Sequence, residues 1–301
     1  MLIFEGSEKK LEVVIDRTDV DLRELGSSFW TKIVTASAAE IISSISSPVC
    51  DAYLLSESSL FVWNDRFTMI TCGQTKLAQA AEVFLQEVKH PIASLFFQRK
   101  NELFPNMQHS DFSSDVAMLN THTPGTTYRF GDTHFNNIFY HEAAPILHNT
   151  TYAEDDTTFE LLMYNLGEKA SNVFMNHTKE KIRNLLAASS LYSIFDIDEF
   201  LFEPFGYSVN GLKGKHYFTI HVTPQEECSY ASFETNLPLP QARDIIQALV
   251  DAFAPKSFDT VVFCDIPNAP VLPNNIPLQE AYTKRLGNKY YVHFTHHGES
   301  K

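Results

Sequence analysis

Polar and apolar residues alternate along residues 10–16, KLEVVID. Leu11, Val13 and Ile15 point one way and Lys10, Glu12 and Val14 the other, the period-two pattern of a strand. Residues 29–45 carry helix formers and small residues and predict a helix. Residues 52–63 then predict a strand, Asn64-Asp65 a tight two-residue turn at positive φ, and residues 66–72 its hairpin partner. Gly73 breaks the pattern. Leu77, Ala81, Phe84 and Val88 recur at helical spacing, and residues 94–98 predict another strand. The same order returns later: strands over 216–222 and 229–235, a helix over 241–253 with Ile245, Ile246, Leu249, Val250 and Phe253 inward, a stop at Pro255, and a strand over 258–264. Strand, hairpin, strand, helix, strand occurring twice predicts a duplicated α+β unit in which each helix covers one face of an antiparallel sheet. Pro and Asn cluster over 265–277 and predict a surface loop.

Composition narrows the function classes. The 301 residues are 44% hydrophobic and 13% aromatic, with 24 Phe, enough for a large buried core. A formal charge of −14 without any Lys/Arg block argues against a nucleic-acid partner and suits a cationic small molecule. Cys50, Cys72, Cys228 and Cys264 have no metal-ligand spacing and read as free thiols. The amino terminus has no basic, apolar leader pattern, and no run reaches the ~20 apolar residues of a membrane span, so the expected setting is cytoplasmic. On that reading the sequons at Asn149 and Asn176 are chance matches.

The most informative stretch is Tyr53-Leu-Leu-Ser-Glu-Ser-Ser-Leu-Phe61, a polar tetrad between two apolar strand halves. An ordinary bulge with hydroxyls bonded to backbone would account for it alone. Six further blocks stand in order along the chain: Phe4-Glu5-Gly6-Ser7-Glu8-Lys9, Thr71-Cys72-Gly73, Arg99-Lys100-Asn101, Gly206-Tyr207-Ser208-Val209-Asn210-Gly211, Thr219-Ile-His221-Val-Thr-Pro224 and Ser229-Tyr-Ala-Ser-Phe-Glu234-Thr. Together they resemble the eukaryotic-type S-adenosylmethionine decarboxylases, pyruvoyl-dependent proenzymes that cut their own backbone. The resemblance implies a four-layer α/β/β/α sandwich of two antiparallel sheets with an internal duplication, as one domain over 1–301. It also implies cleavage between Glu57 and Ser58 into chains 1–57 and 58–301.

The residue types suit that chemistry. A serine hydroxyl close to the preceding carbonyl attacks it and turns amide into ester; elimination gives dehydroalanine, and hydrolysis leaves a pyruvoyl group and ammonia. Such a step needs a strained turn and a nearby proton acceptor. By resemblance, the pyruvoyl carbonyl from Ser58 forms a Schiff base with the substrate's α-amine and accepts the electron pair left by CO₂. Cys72 resembles the general acid. Ser208 and His221 resemble the pair that assists processing, the imidazole as proton acceptor and the hydroxyl as partner to the oxyanion. Phe4 and Phe202 match the aromatics around the adenine and sulfonium. Leu55 and Gln225 match substrate-side positions, Glu8 matches a carboxylate beside the substrate, and Glu5 resembles a neighbouring acidic residue. Glu12, Asp156, Thr158, Glu160 and Glu234 match the acidic site that binds putrescine in animal relatives. Each position also has a plain structural reading: a core thiol for Cys72, a satisfied strand histidine for His221, core rings for the Phe residues and a solvated face for the acidic strand.

Two departures bear on activity. Gln225 stands where the family has a glutamate gripping the ribose hydroxyls, and one amide carbonyl in place of a carboxylate costs about 1–3 kcal/mol of that contact. Glu226 is adjacent, but on a strand it points the other way. Lys10 stands where animal relatives have an apolar residue and plant relatives an arginine, and Ile70 where animal relatives have a lysine. Lys10 is therefore expected to replace putrescine as counter-ion of the acidic cluster. Decarboxylation of another amino acid, or a non-catalytic regulatory homologue, are the alternatives; homodimer and monomer are both compatible with the sequence.

Overall fold

The computed structural model describes residues 6–16, 20–143, 157–176, 178–225, 228–267, 276–288 and 290–298. They fall into two compact units, within residues 4–151 and 152–301. The first is built from strands β1 (Lys9–Ile15), β2 (Ile41–Ser46), β3 (Asp51–Leu55), β4 (Ser58–Val62), β5 (Arg66–Thr71), β6 (Ile92–Lys100), β7 (Thr126–Phe130) and β8 (Asn136–Glu142), with helices α1 (Gly26–Ala36), α2 (Leu77–Glu87) and α3 (Phe112–Asn120). The second has strands β9 (Thr158–Tyr164), β10 (Asp196–Leu201), β11 (Tyr207–Lys213), β12 (His216–Thr223), β13 (Tyr230–Thr235), β14 (Ser257–Cys264), β15 (Leu278–Leu286) and β16 (Tyr290–Gly298), with helices α4 (Glu168–Met175), α5 (Lys179–Leu185), α6 (Leu191–Ile194) and α7 (Leu239–Phe253).

The strand orders state the duplication directly. One sheet runs β2-β3-β4-β5-β1-β6-β8-β7 and the other β10-β11-β12-β13-β9-β14-β16-β15, the same topology shifted by eight strands. In both, the first strand of the unit lies between the fifth and sixth and pairs antiparallel with each, as β1 does with β5 and β6. Helix α2 joins β5 to β6, and α7 joins β13 to β14 at the equivalent place. The α+β class, the two antiparallel sheets and the repeat agree with expectation.

Period-two alternation gives each sheet one apolar face. In the first unit Leu11, Val13, Leu60, Met69, Phe67 and Phe97 join Trp30 and Ile33 of α1 and Ala81 and Phe84 of α2 in one core. In the second, Val209, Ile220, Phe233 and Leu161 pack with Ile246, Leu249 and Phe253 of α7. Each fully buried Val, Leu, Ile, Met or Phe among them stabilises the fold by about 1.5–3 kcal/mol. The opposite faces are polar yet largely buried: Lys10, Ser59, Thr68 and Gln98 on one sheet, and Ser208, Asn210, Thr219, His221, Glu160 and Glu234 on the other.

Three expectations need correction. The helix predicted over 29–45 starts and ends early, at Gly26–Ala36, and 41–46 is an edge strand. Ser37 donates its hydroxyl to the Val34 carbonyl and Ala38 turns the chain at φ 63, after which β-branched Ile41, Ile42 and Ile45 favour extension. The strand predicted over 52–63 is two strands joined by a turn at Ser56-Glu57. The Asn64-Asp65 hairpin forms, with Trp63 N–H on the Arg66 carbonyl, but neither turn residue takes positive φ. Their carbonyls instead accept from Leu22 and Ile15 N–H.

Candidate active site

The polar tetrad is the tip of the β3–β4 hairpin. Leu55 faces Ser58 in register, leaving Ser56 and Glu57 as the two turn residues. Both sides of the tip are tied down. Ser56 donates its N–H to the Glu40 carbonyl and accepts the Glu40 N–H on its hydroxyl, while the Glu57 carbonyl accepts the Cys72 N–H at 3.0 Å. The Cys72 thiol lies 3.4 Å from that same carbonyl oxygen. Ser58 has φ 136, a region an L-residue occupies at a cost of about 1–3 kcal/mol. It is 2% exposed, and its hydroxyl has no hydrogen-bond partner among the described residues. The strained turn expected from the chemistry is thus present, at the Glu57–Ser58 peptide. Its carbonyl is polarised by a donor, and the hydroxyl beside it is uncommitted.

Electrostatics around the turn come from buried groups. Ser58, Thr71, Lys9 and Arg99 form one cross-strand row. The Lys9 ammonium donates to the Gly73 carbonyl (3.0 Å) and to Gln108 Oε1 (2.7 Å), fixing the loop that carries Cys72. Burial, reinforced by the Arg99 charge, lowers the Lys9 pKa to about 8. Burial pushes the Glu57 carboxyl up to about 7, against the pull of Lys9. Thr75 Oγ1 donates to the Cys72 carbonyl or the Thr71 hydroxyl and closes the loop behind the thiol. Leu55 lies in the unit's apolar core, and Glu8, half-buried just before β1, takes the Lys100 N–H on its carbonyl.

The second unit holds a hydroxyl–imidazole–hydroxyl array. Ser208 on β11 faces His221 on β12, and Ser208 Oγ lies 2.7 Å from His221 Nδ1. Thr219, two residues before on the same face, lies 2.7 Å from Nε2. Burial drives the His221 pKa down to about 3, so the ring is neutral at ordinary pH. Phe202 follows β10; its ring meets Phe200 edge-on at 4.9 Å, and Phe200 faces Ser208 in register. Phe200 is 38% exposed, and the pair presents aromatic surface beside the array. Gly206 (φ 147) comes so close to Phe202 that a Cβ there would stand 3.2 Å from the phenylalanine Cβ. Gln225 follows β12, its Oε1 turned to the Cys228 thiol at 3.5 Å.

Of the acidic residues, Glu160 and Glu234 stand directly opposite each other on β9 and β13, 3% and 4% exposed, and Tyr217 donates its hydroxyl to Glu234. Thr158 lies two residues from Glu160 on that face. Glu12 and Lys10 share a face of β1 in the other unit, where Thr68 donates to Glu12 Oε2 at 3.0 Å and Lys10 is 4% exposed. Phe4, Glu5, Asp156 and Glu226 lie outside the described residues. Sequence reasoning passes over Lys9, Thr219 and the Cys72 main-chain N–H. The two side chains stand within quoted blocks, whereas a backbone donor fifteen residues from its acceptor leaves no sequence signal.

The sequence pattern of the family described as adenosylmethionine decarboxylase matches residues 2–293. The S-adenosylmethionine decarboxylase proenzyme of Leishmania donovani is 34% identical over 287 residues, covering 89% of this chain and 75% of the relative. Those of Drosophila melanogaster (32%; 87% and 83% covered) and Xenopus laevis (34%; 86% and 83%) are similar. A crystal structure of a Trypanosoma brucei AdoMetDC monomer superposes with a TM-score of 0.62 at 23% identity, covering 80% of this chain and 99% of that one, a likeness of fold. The chain belongs to the adenosylmethionine decarboxylase family.

Proposed function

We propose that the protein is a self-processing decarboxylase that acts on S-adenosylmethionine through a pyruvoyl group made from Ser58. One observation carries the processing half: the Glu57 carbonyl is held by the Cys72 N–H at a turn where Ser58 is strained and its buried hydroxyl is unpartnered. Attack of Ser58 Oγ on the Glu57 carbonyl carbon breaks the C–N bond. The hydroxyl proton passes to the freed amine, and φ 136 need no longer be maintained in a peptide. The Cys72 N–H is placed to donate to the oxyanion as charge develops there; one such donor is worth about 10²–10³ in rate. Loss of the α-proton of residue 58 to a base, the part His221 plays by resemblance, then expels the Glu57 carboxylate, and water converts the dehydroalanine to a pyruvoyl group and ammonia.

The pyruvoyl group supplies the electron sink for decarboxylation. Side chains of the protein handle binding and protons. Cys72 returns a proton to the substrate's α-carbon, with Lys9 holding its loop. Phe202, set by Phe200 and Gly206, offers a ring face to the adenine and sulfonium, a contact of about 1–2 kcal/mol when desolvated. The intact mass of freshly purified, denatured protein tests the reading. Two species, one ending at Glu57 and one beginning with a pyruvoyl-blocked residue 58, are the expected result; a single uncut chain of 34.2 kDa overturns it.

Gln225 is the observation behind the alternative of another amino-acid substrate. Restoring the acid, Gln225→Glu, is expected to lower KM for S-adenosylmethionine about tenfold with little change in kcat, as one charge-assisted contact warrants. No change in KM would remove the residue from ribose recognition.

Lys10 supplies a fixed, buried ammonium on the face that carries Glu12, and a buried cation requires acidic partners. Activity is therefore expected to be indifferent to added putrescine, and Lys10→Ala to make it respond. A clear rate increase when putrescine is added to the unaltered enzyme would refute this role.

A further inference from the structure

We infer that Thr219 is a positioning residue for His221: it takes the Nε2 proton and leaves Nδ1, the nitrogen facing Ser208, to accept the proton that processing releases. This rests on the reading of Ser208 and His221 as the processing pair. The ring is held between two hydroxyls at 2.7 Å, and Ser208, Thr219 and His221 are 5%, 1% and 6% exposed. A neutral imidazole has one donor and one acceptor nitrogen, so the two hydroxyls cannot play the same part.

The surroundings distinguish them. Thr219 stands directly opposite Glu234 in the β12–β13 register, and Glu160 is opposite Glu234 in turn. Residues so paired have Cβ atoms about 4.5–5.5 Å apart, and an acidic side chain offers acceptor oxygens to a threonine O–H. On its other side Thr219 faces Asn210, whose amide oxygen is a second acceptor; with its proton turned to either, the Thr219 oxygen presents lone pairs to Nε2–H. Ser208 faces Phe200 on its other side, which offers no such acceptor, and its O–H is left to donate to Nδ1. The proton released in processing enters the ring at Nδ1 by way of Ser208, whose hydroxyl passes its own proton to Nδ1 as its oxygen takes the new one, while the electrons of the broken C–H bond expel the Glu57 carboxylate. The imidazolium then donates from both nitrogens, to Ser208 Oγ and Thr219 Oγ1. A charge forming in a buried site thus meets two acceptors already in place.

The test combines kinetics with a tautomer measurement. In the uncleavable Ser58→Ala chain, ¹⁵N shifts of the His221 ring are expected to report the Nε2–H form, and Thr219→Val is expected to shift the ring away from it. In the chain with Ser58, Thr219→Val is expected to slow cleavage at least about tenfold, while Thr219→Ser stays within about threefold of the parent. An Nδ1–H ring in the chain with Thr219, or parent-like cleavage by Thr219→Val, overturns the inference. Should Thr219→Val fail to fold, the tautomer in the chain with Thr219 decides alone. A parent chain that stays uncut while its ring is Nε2–H would instead remove the processing reading and leave the positioning of His221 standing.

Discussion

Ser58→Ala is expected to remain one chain of 34.2 kDa and to release no CO₂ from S-adenosylmethionine. The fold should survive, because the substitution removes one oxygen that bonds to none of the described residues. The loss is total rather than graded, for two reasons. The nucleophile that breaks the peptide and the carbon skeleton of the electron sink are the same residue, so no other side chain supplies either. Decarboxylation then falls to the rate of the unassisted substrate, a drop of at least about 10⁶-fold. Intact mass and CO₂ release check the two halves separately. An uncut variant with residual turnover would mean that the chemistry does not pass through residue 58.

His221→Ala is the second large effect. Ester formation needs only the Ser58 hydroxyl and the polarised carbonyl, whereas elimination needs a proton acceptor. The variant is therefore expected to stall as an ester, slowed about 10²–10⁴-fold in completing the cut, and hydroxylamine should split it between residues 57 and 58. Normal cleavage would take the imidazole out of the reaction. The same residue sets a pH signature. Its pKa is about 3 in the folded chain against an ordinary 6.5, so the unfolded chain binds the proton first as pH falls. The stabilising effect of keeping the ring neutral is whole above pH 6.5 and is lost progressively down to about pH 3. Acid unfolding of His221→Gln should lack that component, and equal slopes in the two proteins would contradict the buried, neutral ring.

Much of each sheet is legible in the pattern of residues. KLEVVID, the strand over 216–222 and the helix over 241–253 show clean periods because each buries one apolar face. The repeat is legible for the same reason. What escapes is governed by contacts remote in sequence. The edge strand β15 is exposed at most positions and has no alternation to read. The turn at Ser56-Glu57 is hidden because strand-forming residues run up to it from both sides. Its one signature, positive φ at Ser58, is a conformation that serine does not advertise. Ser58, Cys72, Ser208 and His221 are recognisable only as members of ordered blocks. The bond from Cys72 to the Glu57 carbonyl and the hydroxyl on each side of His221 are products of strand register, which the residues alone do not display.

The position of β1 has a consequence for the molecule if it is cut as proposed between Glu57 and Ser58. The small fragment carries β1, β2 and β3, and β1 is threaded between β5 and β6 while β3 is laddered to β4. A cut at the hairpin tip therefore opens the chain without freeing either piece: departure of the fragment would unzip three ladders at once and expose Leu11, Val13 and Leu55 to water. With the described cysteines all unbridged, this interleaving rather than a covalent bond retains the fragment. On the proposed reading the nicked first unit should melt as a single cooperative body, and maturation is in effect irreversible, because the severed strands stay seated while the peptide nitrogen that once joined them has left as ammonia.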